Sequence, residues 1–169
     1  YMSRPLVGPF APDARENDYT WRHYGQYNEE ELASVIAQTY QQSLDCRGLA
    51  GVRKLSDVIV SHKTSGLFRP QAWWIATSQG RPAGCILIND YIQADSADVV
   101  YLGVTPEFRG RGLAAVMLNM AGRFAIKRGM GNLTLAVDSA NTYAYKVYLT
   151  TGFQETTRRQ AYAMIGQKK

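Results

Sequence analysis

Between Val104 and Ala114 the chain reads Val-Thr-Pro-Glu-Phe-Arg-Gly-Arg-Gly-Leu-Ala. An apolar run from Asp98 leads into this string, and Leu113, Val116, Met117, Met120, Ala121 and Phe124 follow at helical spacing. Gly110 and Gly112 therefore sit where a strand becomes a helix. A helix start leaves about four backbone N–H groups without internal partners, and the aligned peptide dipoles add partial positive charge there. A pyrophosphate placed at that end is stabilised by both. Glycines let the backbone approach such a group without a Cβ in the way. Arg109 and Arg111 add charge, and one of them is placed to pair with a phosphate. The bland alternative is a glycine-rich turn carrying two solvated arginines. No Gly-Lys-Ser/Thr follows, and the three spaced glycines of a dinucleotide fingerprint are missing.

A second pair of residues points at one ligand. Asn141 and Tyr148 lie seven residues apart, nearly two helical turns, so they share a face of the helix expected from Thr142. Asn141 alternatively serves as a plain N-cap, and Tyr148 as a packed core aromatic in a chain with 11 tyrosines.

The elements that hold these residues follow from periodicity. Residues 1–17 carry Pro5, Pro9 and Pro12 without apolar periodicity and read as an extended or disordered arm, which leaves 18–169 as a single domain. Alternation of Tyr19, Trp21 and His23 predicts a first strand over 18–24. Asn28, the three glutamates after it, and Leu32, Val35, Ile36, Thr39 and Tyr40 predict an amphipathic helix. A second helix is expected over 56–65. Strands at 72–77 and 83–90 are joined by a hairpin at Ser78-Gln79-Gly80-Arg81-Pro82, followed by strands at 98–104 and 132–138 and a closing strand over 153–164. The predicted order is β, α, α, β, β, β, α, β, α, β.

Composition narrows the class. At 169 residues and 46% hydrophobic content one core is well supplied, and two are not. No run approaches the roughly 18 apolar residues of a membrane span, and the start lacks a secretory pattern, so a cytoplasmic protein without a membrane partner is expected. The first residue is Tyr1, which fits processing or excision from a longer protein. Cys46 and Cys85 lie far apart with no ligand-spaced neighbours, so they are expected as reduced thiols with no metal. A net charge of +5 is scattered, which favours a small phosphate-bearing ligand over nucleic acid.

With both motifs in view, Arg109 to Ala114 preceded by Val104 and Pro106 resembles the acyl-coenzyme A loop of the GNAT N-acyltransferases. Val137 to Tyr148, closed by Gly152 and Phe153, resembles that family's second signature. The resemblance implies an α/β GNAT fold, with a mixed, mostly antiparallel sheet of six or seven strands flanked by about four helices. It implies acetyl-CoA or another acyl-CoA as co-substrate, bound by Leu102, Gly103, Val104, Arg109, Gly110, Arg111, Gly112, Leu113, Ala114, Asn141 and Tyr148. In the family the Asn141 position holds the pantetheine arm or caps its helix, and Tyr148 is the general acid toward the leaving thiolate. A backbone N–H near Val104 meets the acyl oxygen. Asp138 is the first candidate for the base, ahead of Asp98 and Tyr101, with a strand-end cap or relayed water as the alternatives. His23 and His62 read as structural.

Two branches of the family are similar. The ribosomal-protein N-terminal acetyltransferases share Asn141, Tyr148, Gly152-Phe153 and the Arg158, Tyr162 tail, but carry a Glu where this chain has Ala136. Mycothiol synthases share the run from Leu102 to Pro106 and an acid at Asp138, but are usually two tandem domains. The implied reaction is N-acylation of a primary amine of a small molecule by direct attack, and a homodimer is common in the family. Protein N-terminal or lysine acetylation, and a non-catalytic acyl-CoA-binding module, are the alternatives. Arg47, Arg53, Lys54, His62 and Lys63 on the acceptor side favour an anionic or polar acceptor over a polycation.

Overall fold

A computed structural model describes residues 1–8, 10–45 and 53–160. Among these, the first strand comes from the stretch expected to be an arm: β1, Met2–Pro5. A short 3-10 turn, Ala14–Asp18, follows, closed by a capping box in which Asp13 and Glu16 satisfy each other's backbone N–H groups. Then come β2 (Thr20–His23), α1 (Glu29–Tyr40), α2 (Leu55–Thr64), β3 (Leu67–Ser78), β4 (Arg81–Tyr91) and β5 (Ser96–Val104). The chain continues through α3 (Leu113–Lys127), β6 (Asn132–Leu135), α4 (Thr142–Thr150) and β7 (Gln154–Glu155). The expected closing strand is thus seen only as β7, and its remainder beyond residue 160 lies outside the described residues.

The strands form one seven-stranded sheet in the order β2-β3-β4-β5-β6-β1-β7. β5 and β6 run parallel, and every other pair is antiparallel. This is the mixed, mostly antiparallel α/β sheet with four helices that the resemblance implies. Alternation along the hairpin strands sorts the core into two layers. Trp73, Ile75, Cys85 and Leu87 pack with Leu32, Val35 and Ile36 of α1 and Ile59 of α2. Ala72, Ala76, Ile86 and Ile88 pack with Leu113, Met117, Leu118 and Ala121 of α3 and with Tyr148 of α4. The hairpin turn has Gln79 and Gly80 both at positive φ, as a two-residue connection matching strand twist requires.

Two irregularities open the sheet in its middle. The β4–β5 register slips between Leu87 and Ile88, so that Leu87 faces Tyr101 and Ile88 faces Val99, leaving Val100 as an extra residue. In addition, β5 and β6 pair only over Ser96–Val99 with Asn132–Leu135. The strand predicted to reach Asp138 stops at Leu135, which is also where its pairing with Met2 of β1 ends. Beyond that level the β6-facing edge of Val100 to Val104 has no strand partner among the described residues. A wedge between the two parallel strands results.

Candidate active site

The glycine loop lies at the wide end of this wedge. β5 ends at Val104, Thr105 turns the chain with its hydroxyl on the Pro82 and Ala83 carbonyls, and α3 begins after Gly112. Gly112 is the N-cap at φ 81°, a left-handed conformation that glycine adopts without strain, and it provides no side-chain cap. The first N–H groups of a 15-residue helix are therefore left for a ligand or water. Arg111 is exposed, stacked 5.2 Å from the Phe108 ring, with no carboxylate partner among the described residues.

Arg109 behaves differently from the expectation of a phosphate-pairing charge. Its guanidinium donates to the Thr39 and Gln41 carbonyls (2.9 and 2.7 Å), to the Gln42 carbonyl and to the Val104 carbonyl (3.1 Å). It caps the C-terminal end of α1, where unsatisfied carbonyls collect negative potential. The basic group found against the α3 N-terminus is instead Arg15, which the sequence did not single out. A Cβ on Gly112 would collide with the Arg15 guanidinium. Arg15 is also paired with Asp13 at 2.6 Å. The only sequence signal for this placement was the Asp13/Glu16 capping box, which turns the arm back toward α3.

On the other side of the wedge, Asp138 lies three residues past the end of β6, in a tight turn. Its carboxylate accepts the Ala140 N–H (2.9 Å) and its carbonyl accepts the Asn141 N–H (2.8 Å). Asn141 caps α4, accepting the Ala144 N–H at 3.2 Å. Seven residues on, Tyr148 is buried at 7% exposure against Phe153, with ring centroids 5.8 Å apart. Its hydroxyl has no hydrogen bond among the described residues. Burial, with the nearby negative charge of Asp45 adding to it, pushes its pKa upward and keeps the proton on.

Tyr101 projects from β5 toward α1 and α2. Thr39 donates to the Ile36 carbonyl (2.7 Å), so the 2.6 Å contact between the Thr39 and Tyr101 hydroxyls has Tyr101 as donor. Gly103 is glycine for this reason, since a Cβ there would meet both hydroxyls. The Tyr101 ring lies 5.9 Å from Tyr40 and 5.6 Å from His62. Burial lowers the His62 pKa to about 4, which leaves a neutral ring whose Nε2 is buried with no hydrogen-bond partner among the described residues. Asp98 is tied to the Thr134 hydroxyl at 2.6 Å, and burial raises its pKa.

The basic lining expected on the acceptor side is largely engaged elsewhere. Lys63 pairs with Glu29 and Tyr24, and Arg53 donates to the Asp57 carbonyl. Arg47 lies outside the described residues. Asp45, an acid that sequence reasoning did not single out, is a neighbour of Asp138 and Asn141. Among the described residues no three His, Cys, Asp or Glu gather as for a metal ion, and no helix is long and apolar enough to cross a membrane. A separate open groove of about 390 Å³ runs between Ala115 and Asn119 of α3 and Thr150 to Gly152 after α4.

Comparison with known proteins follows the same residues. The model of the acetyltransferase (GNAT) family matches residues 17–153. A mycothiol acetyltransferase of Thermobispora bispora is 35% identical over 163 residues, 92% of this chain and 53% of that protein. One from Catenulispora acidiphila is 27% identical over 96% of this chain and 51% of its own. The chain thus spans about half the length of these curated relatives. In fold it is similar to a GCN5-related N-acetyltransferase of Sphaerobacter thermophilus (TM-score 0.69, 19% identity, covering 90% of this chain and 46% of that one). It is also similar to the ribosomal-protein-S18-alanine N-acetyltransferase of Escherichia coli (TM-score 0.64, 20% identity, 86% and 84%).

Proposed function

Since this chain belongs to the acetyltransferase (GNAT) family, we propose that it binds acetyl-CoA, or a closely related acyl-CoA, in the wedge between β5 and β6 and passes the acyl group to a primary amine of a small molecule. The observation that carries this reading is the parting of the two strands just where the glycine loop opens the N-terminus of α3. A pantetheine arm is an extended, amide-bearing chain, and the unpaired edge of Val100 to Val104 offers it the hydrogen bonds that β6 would otherwise take. Backbone N–H groups at Gly110 to Ala114 receive the pyrophosphate, with Arg111 adding a mobile charge. Arg109 contributes by fixing the loop.

In the reaction the amine nitrogen attacks the thioester carbonyl carbon, the C–N bond forms and the C–S bond breaks. A backbone N–H near Val104 meets the carbonyl oxygen as it becomes negative. The leaving sulfur takes the Tyr148 proton, and the amine sheds its own on the side where Asp138 stands. A thiolate with an unperturbed pKa of about 8.5 needs only a modest donor, and the Tyr148 phenol, which burial keeps protonated, is one.

Titration calorimetry with acetyl-CoA and a series of longer acyl-CoA esters tests the donor half. Binding that is chain-length dependent and roughly tenfold weaker in Arg111→Ala is expected from the loss of one charge-assisted contact. No binding of any ester would end the acyltransferase reading.

A further inference from the structure

The segment that forms β1 lies outside the stretch matched by the family model, residues 17–153, yet it is built into the sheet between β6 and β7. Met2 and Arg4 pair with Leu135 and Leu133 of β6, and alternation puts both on the face that α3 and α4 cover. Met2, Leu133 and Leu135 are buried there. Arg4 is thus a charge on an otherwise apolar face, half-buried, and desolvation lowers its pKa. Every Asp and Glu of the chain lies within the described residues, and none of them forms an ion pair with Arg4.

The guanidinium is nevertheless held in place. It stacks 4.1 Å from the centre of the Phe10 ring, which packs on α3 so closely at Gly122 that a Cβ there would meet it. Asn119 of α3 donates to the Ala11 carbonyl at 2.8 Å, and Arg123 pairs with Glu16 at 2.6 Å, so the segment carrying Phe10 is tied along the helix. A ring face takes none of the guanidinium N–H groups. Nor does the end of α4 beside it, where the Val147, Tyr148 and Leu149 carbonyls accept from the Thr151, Gly152 and Phe153 N–H groups and Arg4 donates to none of them.

What Arg4 lines, together with Asn119 and Thr151, is the groove of about 390 Å³ between α3 and the end of α4. The groove begins at Ala115, about 4.5 Å along the helix axis from the Gly112 cap at the usual rise per residue. Asp13 also lines it, but Arg15 holds that carboxylate through two hydrogen bonds (2.9 and 2.6 Å), which offset its charge and lower its pKa to about 2. Arg4 is therefore a positioned cation without a counter-ion, one turn from the pyrophosphate cradle. Such a group is costly unless an anion meets it, and the planar guanidinium fork suits phosphate oxygens.

Coenzyme A carries one further phosphate, a monoester on the 3′ oxygen of its adenosine. Resting on the acyl-CoA reading above, we propose that Arg4 and this groove seat the 3′-phosphate of the donor, so that β1, and not the matched family core, selects coenzyme A over its dephosphorylated form.

The test is titration calorimetry of the full chain with coenzyme A and with dephospho-coenzyme A, which differ by that phosphate alone. Wild type should bind coenzyme A about tenfold more tightly, with the gap narrowing as salt is raised. Arg4→Gln should weaken coenzyme A about tenfold, leave dephospho-coenzyme A unchanged and so close the gap, while Arg4→Lys should keep part of it. Dephospho-coenzyme A also reports on the fold. If Arg4→Gln loses both ligands, the wild-type comparison and Arg4→Lys decide. Equal affinity for the two ligands in wild type, or a gap that survives Arg4→Gln, would overturn the proposal and leave the acyl-CoA reading standing. Binding of neither ligand to wild type would end that reading and the proposal with it.

Discussion

Burial sets the protonation of the rings that line the wedge, and it acts in opposite directions on a phenol and an imidazole. Tyr148 is pushed up, so it enters any reaction as a donor. Tyr148→Phe keeps the packing against Phe153 and removes the proton. Turnover should fall roughly 10²-fold or more with acetyl-CoA affinity nearly intact, and an unchanged kcat would exclude Tyr148 from the chemistry. His62 is pushed down, to about 4 from the ordinary 6.5. The unfolded chain then binds this proton first as pH falls, so stability is lost between pH 6.5 and about pH 4 and the loss stops below that. The limit is about 3 kcal/mol. His62→Phe should flatten that part of the stability curve, measured by urea unfolding at closely spaced pH values, relative to wild type. An unchanged slope would show that the imidazole is solvated.

Among the elements, the two arginines of the glycine loop part company. Arg109 joins the end of α1 to the end of β5 through four carbonyls, and so fixes both the glycine loop and the turn after α1. Arg109→Ala should cost about 2–3 kcal/mol of stability, since several charge-assisted bonds to the backbone go at once. It should also impair donor and acceptor KM together. Arg111→Ala should leave thermal unfolding within a degree or so of wild type and affect donor binding alone. Sequence spacing presented the two as equivalent, because a motif specifies where a charge is attached and says nothing of the carbonyls awaiting it 60 to 70 residues upstream.

At the scale of the whole molecule, one buried cluster binds the layers together. Asp90 at the end of β4 has no exposed side-chain surface and pairs with Arg69 of β3 and with Arg128 just after α3. Nearby, Asn89 accepts the Trp73 indole N–H and donates to the His62 and Ser65 carbonyls, pinning α2 to the sheet. Asp90→Ala leaves two cations facing a vacated buried site. It should cost about 3–5 kcal/mol in urea unfolding, with the melt still a single transition. A loss below about 1 kcal/mol would mean that solvent reaches the cluster.

The periodicities of 2 and 3.6 were enough to determine α1, α2, the β3–β4 hairpin, β5, α3 and α4, because each element's buried stripe is written in its own residues. The same locality made the glycine loop and the Asn141–Tyr148 pair legible. The role of residues 2–5 was not, since Met2–Pro5 becomes a strand only when β6 and β7 supply its partners. Nor was the early end of β6, which depends on where two neighbours stop pairing. Arg15 and Asp45 lie in short irregular segments without a period, and they acquire meaning only through what stands across space from them. Local pattern therefore determined the elements and the glycine-loop motif, whereas the wedge, the committed Arg109 and the approach of Arg15 to the start of α3 were decided by the tertiary structure, because each exists only as a relation between distant parts of the chain.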